Sequence, residues 1–147
     1  MSGVVMRRTK YVLMSLLAFV MPVANAQALK KIADLEVKID DKEMVKKDSG
    51  IRTMFIVIYD AESKMPQPYG AMKVALDKDA RGTFYKGSLT TENVMLMGGG
   101  DLPKAIRIKA RLDKDGSAGP DEPGDLVGIA EKVTLGAKAV ITINKAI

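Results

Sequence analysis

An antiparallel β-sandwich of about seven short strands is the fold this sequence predicts, and three observations predict it. Apolar residues alternate with charged ones at period two in several separate stretches, as in strands with one buried face. Clusters of Gly, Pro and Asp punctuate the chain between those stretches. No apolar stripe of helical period runs beyond two turns. Short strands set off by turns favour two packed sheets, immunoglobulin- or cupredoxin-like in general architecture.

Of the 147 residues, the first 26 read as a secretory signal peptide. Arg7, Arg8 and Lys10 make a basic start, residues 12–23 are an uncharged apolar run, and Ala24-Asn25-Ala26 supplies the small residues of a cleavage site. The run holds about twelve residues, short of the roughly twenty that span a bilayer as a helix. Residues 27–147 are then one exported domain, expected in the periplasm and without a membrane span after cleavage.

Within that domain, residues 29–32 form a lead-in with helical spacing. Leu35, Val37 and Ile39 alternate with Glu36, Lys38 and Asp40 as a half-buried strand. A charged connection over residues 40–50 ends in the turn signal Asp48-Ser49-Gly50. Residues 54–59, rich in β-branched and aromatic side chains, read as a central strand covered on both faces. Two prolines in Met65-Pro66-Gln67-Pro68 forbid a regular ladder there. Met72, Val74 and Leu76 resume the alternation, residues 78–82 turn, and Phe84 and Tyr85 are expected near a sheet edge. Residues 89–97 give another candidate strand, stopped by Gly98-Gly99-Gly100. Ile106, Ile108, Ala110 and Leu112 interleave with Arg107, Lys109 and Arg111, placing an apolar face inward and a basic face toward water. A loop rich in Asp, Gly and Pro spans residues 113–124, and residues 126–133 and 139–143 are the last two strands.

Composition excludes much chemistry. The sequence holds no cysteine and no histidine, which removes thiol redox work, thiolate or imidazole metal ligation, and Ser–His or Cys–His catalysis. The formal charge of +5 also belongs mostly to the export signal. Taking its three basic residues from 23 Lys+Arg leaves 20 against 18 Asp+Glu, a balance of +2. So small a charge gives no broad attraction for nucleic acid. A non-enzymatic protein without a cofactor is the expectation.

Four constellations invite a functional reading. Met95 and Met97 are two residues apart on a strand, roughly 7 Å, and thioethers suit Cu(I). Core filling is the alternative use of methionine. The acidic loop offers Asp113, Asp115 and Glu122 as calcium ligands when Gly116 is laid on the invariant glycine of the EF-hand loop. Arg111 then falls on the first ligand position and Pro120 within the loop, which favours a solvated inter-strand connection. Arg107, Lys109 and Arg111, extended by Lys104, would receive an acidic peptide or a haem propionate, or simply face water. Gly98-Gly99-Gly100-Asp101 lacks the Lys and following helix of a phosphate loop and reads as a hairpin connection.

The order of motifs resembles a known family. Residues 34–40 (Asp-Leu-Glu-Val-Lys-Ile-Asp), 53–61 (Thr-Met-Phe-Ile-Val-Ile-Tyr-Asp-Ala) and Met65-Pro66-Gln67-Pro68 come first. Asp101-Leu102-Pro103, residues 108–116, Pro123-Gly124-Asp125-Leu126-Val127-Gly128 and the terminal Val140-Ile141-Thr142-Ile143 follow. The series is similar to the C-terminal periplasmic β-domain of the CycH-type subunit of bacterial cytochrome c maturation, over residues 35–147. The resemblance implies a β-sandwich that binds a protein partner, an apocytochrome c or a maturation subunit. In that family the domain follows membrane helices and a TPR region, and this sequence carries neither. Asp113-Lys114-Asp115-Gly116 also stands for a Ser-containing turn, and Tyr59-Asp60 for Ala-Arg. The partner-binding residues expected on this reading are Met65, Pro66, Tyr69, Arg107 and Arg111.

Overall fold

The computed structural model describes residues 29–48, 50–64, 67–98 and 101–147. The expected export signal, Met65 and Pro66 lie outside the described residues. In chain order the elements are β1 (Lys31–Ile39), α1 (Lys42–Lys47), β2 (Thr53–Asp60), β3 (Gly70–Ala75), β4 (Gly82–Thr90), β5 (Met95–Leu96), β6 (Ala105–Asp113), β7 (Leu126–Thr134), β8 (Lys138–Thr142) and β9 (Lys145–Ala146). They make two sheets, a three-stranded one ordered β4-β1-β8 and a six-stranded one ordered β5-β3-β2-β6-β7-β9. The domain is therefore all-β and two-layered, as expected, but its sheets are not all antiparallel. β1 and β8 run parallel, with Val37 opposite Ile141.

The alternation in the sequence maps onto the layer between the sheets. Leu35, Val37 and Ile39 of β1 face Met54, Ile56 and Ile58 of β2 and Ile106, Ile108, Ala110 and Leu112 of β6, all within one buried cluster. Each fully buried aliphatic side chain of this kind contributes about 1.5–3 kcal/mol. The lead-in at residues 29–32 is not helical: Lys31 opens β1. There a register shift between Lys31, opposite Thr90, and Ala33, opposite Leu89, makes Ile32 the extra residue, and both Ile32 and Ala33 are buried. One extra residue is how a strand buries two neighbours in a row and then resumes alternation.

The charged connection at residues 40–50 contains the helix that periodicity alone did not show. Asp41 caps it, its Oδ1 accepting from Glu43 N at 2.8 Å and Met44 N at 3.1 Å, with Lys46 and Lys47 in the last turn. The strand expected over residues 89–97 is another correction. Asn93 folds the chain back, its Oδ1 accepting from Thr90 N and its Nδ2 donating to Ser88 O, both at 2.8 Å. β4 thus lies earlier, on the edge where Phe84 and Tyr85 were expected, and only two residues remain for β5.

On the opposite side the two sheets converge at β7 and β8. A Cβ at Gly128 would collide with the Thr142 carbonyl oxygen and sit 2.8 Å from Ile141 Cγ2, so the close approach requires glycine. Among the described residues no helix is long and apolar enough to cross a membrane.

Candidate functional site

The two outer faces of the sandwich differ in kind. On the three-stranded sheet, Asp34, Glu36 and Lys38 of β1 project outward among Ser88, Lys86, Lys138, Thr142 and one exposed apolar residue, Val140, of its neighbours. Those groups pair with one another: Ser88 donates to Asp34 at 2.5 Å, Thr83 to Glu36 at 3.2 Å, and Lys138 lies 3.5 Å from Glu36. This is an ordinary wetted sheet face.

The six-stranded sheet presents Phe55, Val57 and Tyr59 of β2 on its outer side. Register sets each against a basic residue of β6: Phe55 opposite Arg111, Val57 opposite Lys109, Tyr59 opposite Arg107. From the other flank β3 brings Lys73 opposite Phe55 and Ala71 opposite Val57. Both aromatic rings carry cations. The Arg111 guanidinium carbon lies 5.1 Å and Lys73 Nζ 5.7 Å from the Phe55 centroid, and the Arg107 guanidinium carbon 4.8 Å from that of Tyr59. Such contacts are worth about 0.5–2 kcal/mol each.

Between the two cation–aromatic rows runs a lower one, Ala71, Val57 and Lys109, and it floors a groove of about 510 Å³. Pro68 and Met97 wall it on one side, and Ala118, Gly119, Pro120 and Asp121 of the β6–β7 loop on the other. The β2 strand is therefore closed on its inner face only, and its outer face is open along this groove. That corrects the expectation of cover on both sides.

Arg111 builds the loop wall. Instead of facing water it is 5 % exposed, its Nη2 2.8 Å from Asp113 Oδ2 and its Nη1 3.2 Å from Asp121 Oδ1. Nη1 also donates to Gly119 O at 2.7 Å, and Nε lies 3.8 Å from Asp125 Oδ2. Lys109 pairs with the other oxygen of Asp121. The remaining carboxylate atoms hold the loop's own backbone: Asp113 Oδ1 accepts from Gly116 N at 2.7 Å, and Asp125 accepts from Lys114 N and Glu122 N at 3.0 Å. Burial pushes the Asp113 carboxyl above its usual range, with Asp115 and Asp125 adding to the rise and Arg111 opposing it. Burial also acts against ionisation of Asp121, but hydrogen bonds from Lys109 and Arg111 outweigh it and hold that carboxyl low.

The expected site residues separate accordingly. Arg111 is a buried strut, not a free contact for a partner. Arg107 is half-buried on the outer face and enters none of the ion pairs among the described residues. Tyr69 stands at the head of β3, its hydroxyl donating to Asp101 O at 2.6 Å. Met95 and Met97 are 74 % and 57 % exposed, flanking a Leu96 that packs on the core, and Met97 reaches the groove. Core packing therefore does not account for either methionine. The calcium arrangement is not assembled: Asp113 is engaged by Arg111 and Asp115 and Glu122 face solvent. Among the described residues no group of three or more His, Cys, Asp or Glu is placed to hold a metal ion.

Phe55, Val57 and Tyr59 were missed as site residues. Their one sequence signal is that the outward half of an apolar strand is aromatic and flanks a strand whose outward half is basic. Comparison with known proteins returns no matching family model, no matching curated protein and no matching solved structure.

Proposed function

We propose that the protein is an exported, non-catalytic binding module, immunoglobulin- or cupredoxin-like in general architecture, whose outer β2 face docks an extended or partly folded segment of a protein partner. The observation that carries this reading is the groove itself. It leaves an apolar floor and a thioether open to solvent beside stacked cations, whereas the opposite face of the sandwich is polar and internally paired apart from Val140. Groove walls from a proline segment and a braced loop suit a strand-like ligand.

The motif order that resembles the CycH-type domain supports a partner from periplasmic cytochrome c assembly, an apocytochrome c or a maturation subunit. The test is a pull-down from periplasmic extract with the purified protein and with Val57→Arg, which blocks the floor. Recovery of c-type cytochromes or maturation subunits by the first and not the second supports the reading. Recovery of neither class by the unmodified protein overturns the cytochrome assignment.

Solvent exposure of Met95 and Met97 favours one second reading, Cu(I) handling through thioether ligands. Titration with Cu(I) decides it. Binding tighter than about micromolar that disappears in Met95→Leu/Met97→Leu supports it, and binding unchanged by those substitutions dismisses it.

A further inference from the structure

We propose that the groove selects segments in which an apolar side chain and a carboxylate stand two residues apart, the apolar group on the Val57–Ala71 floor and the carboxylate on Arg107. The proposal rests on the reading of the groove as the docking surface and names the chemistry of its occupant.

Charge is distributed unequally along the face. At the Phe55 end, Arg111 is already bound to Asp113 and Asp121 and Lys73 donates to Gly116 O at 3.0 Å, and the middle cation, Lys109, is bound to Asp121 as well. At the Tyr59 end, Arg107 has its guanidinium on the ring and no carboxylate partner among the described residues. A cation stacked on an aromatic face keeps its edge N–H groups free to donate to an anion. An acidic occupant therefore gains most at the Arg107 end and meets the Asp121 carboxylate from the middle row to the Arg111 end.

Spacing follows from strand geometry. Val57 and Tyr59 are alternate residues on one face, roughly 7 Å apart, and Lys109 and Arg107 repeat that interval on β6. A ligand extended along β2 has the same repeat, so its side chains at i and i+2 fall on the floor and on Arg107. A carboxylate at i+1 points away from the sheet. Because Asp121 is bound to both Lys109 and Arg111 while Arg107 holds no carboxylate among the described residues, the selection is also directional: an acid on the Arg107 side of the apolar residue is favoured over one on the Arg111 side.

The test uses fluorescein-labelled seven-residue peptides with a central Leu, Met or Phe and with Glu or Lys at one of the four neighbouring positions, titrated into the purified protein by fluorescence anisotropy. One of the two Glu positions two residues from the apolar side chain should bind about fivefold tighter than the matching Lys peptide, with the difference shrinking as salt is raised. Arg107→Glu should reverse that preference, and Arg107→Gln should abolish it, with unfolding curves confirming that both variants fold. If Val57→Arg weakens all peptides while Arg107→Glu leaves the acid preference intact, the groove stands and the carboxylate assignment is overturned. If Val57→Arg weakens none, or no peptide binds, the docking surface itself is wrong.

Discussion

Replacing Arg111 by methionine removes a guanidinium from between three carboxylates while keeping most of the side chain's apolar length. Two of those carboxylates, Asp113 and Asp125, belong to residues only 3 % and 2 % exposed, so water cannot take over from the lost cation. Removing one partner of a buried ion pair costs about 3–5 kcal/mol for that reason. The contact with Phe55 at 5.1 Å adds about 0.5–1 kcal/mol. A loss of about 4–5 kcal/mol is a large share of the roughly 5–15 kcal/mol that holds a domain of this size folded. The loss should also depend on pH. Asp113 already sits above its usual pKa through burial, and Arg111, with the Gly116 N–H, opposes the rise. Without Arg111 its folded pKa climbs further, so the variant is favoured at low pH and loses stability as pH rises through that value. Urea unfolding followed by circular dichroism at pH 5 and pH 7.5 measures both effects. The expected result is a deficit of about 4 kcal/mol at the higher pH, smaller at the lower one, and partly restored by adding Asp113→Asn. A deficit below about 1 kcal/mol at pH 7.5 would refute the assignment of Arg111 as the strut of the groove wall.

Other groups in the fold have measurable consequences. Asp48 is fully buried, with Oδ1 unpartnered among the described residues and Oδ2 accepting from Ala80 N at 2.7 Å, and burial pushes its carboxyl up to about 6. A folded pKa above the unfolded one stabilises at low pH, so this contribution is full below about pH 4 and is lost as pH rises through about 6, by up to about 3 kcal/mol. Urea unfolding across that window should show the decline, and Asp48→Asn should flatten it. Gly128→Ala should cost about 1–3 kcal/mol, read as a lowered melting temperature, because the new methyl meets the Thr142 backbone where β7 crosses β8. Arg107→Gln should leave the melting temperature within about a degree or two, since an outward cation–π contact contributes little to folding.

Strands with a buried inner face were legible in two ways: β1 and β6 carry apolar residues at period two, and β2 shows as a continuous apolar run whose outer half gave no sign that it stays open. β4 was not legible. Over Gly82–Thr90 only Leu89 is buried, as suits an edge strand, so no alternation marks it. Asn93 then ended it through side-chain bonds that periodicity does not record. The parallel pairing of β1 with β8 joins residues about a hundred positions apart, and no local pattern reports it. Arg111 shows the same limit at the site. Its place in an alternating strand assigned it to water, but the loop that follows folds back and carries Asp121 and Asp125 over it. The groove depends on register among β3, β2 and β6, so Phe55, Val57 and Tyr59 gained meaning only once their neighbours were known.

Site-specific photo-crosslinking tests the docking face most directly. A benzophenone amino acid placed at Val57, and in a separate protein at Glu36 on the paired polar face, is irradiated in periplasmic extract. Crosslinks to a discrete partner from Val57 and none from Glu36 are the predicted result. Crosslinks from Glu36 with none from Val57 would place the binding surface on the other sheet and contradict the account.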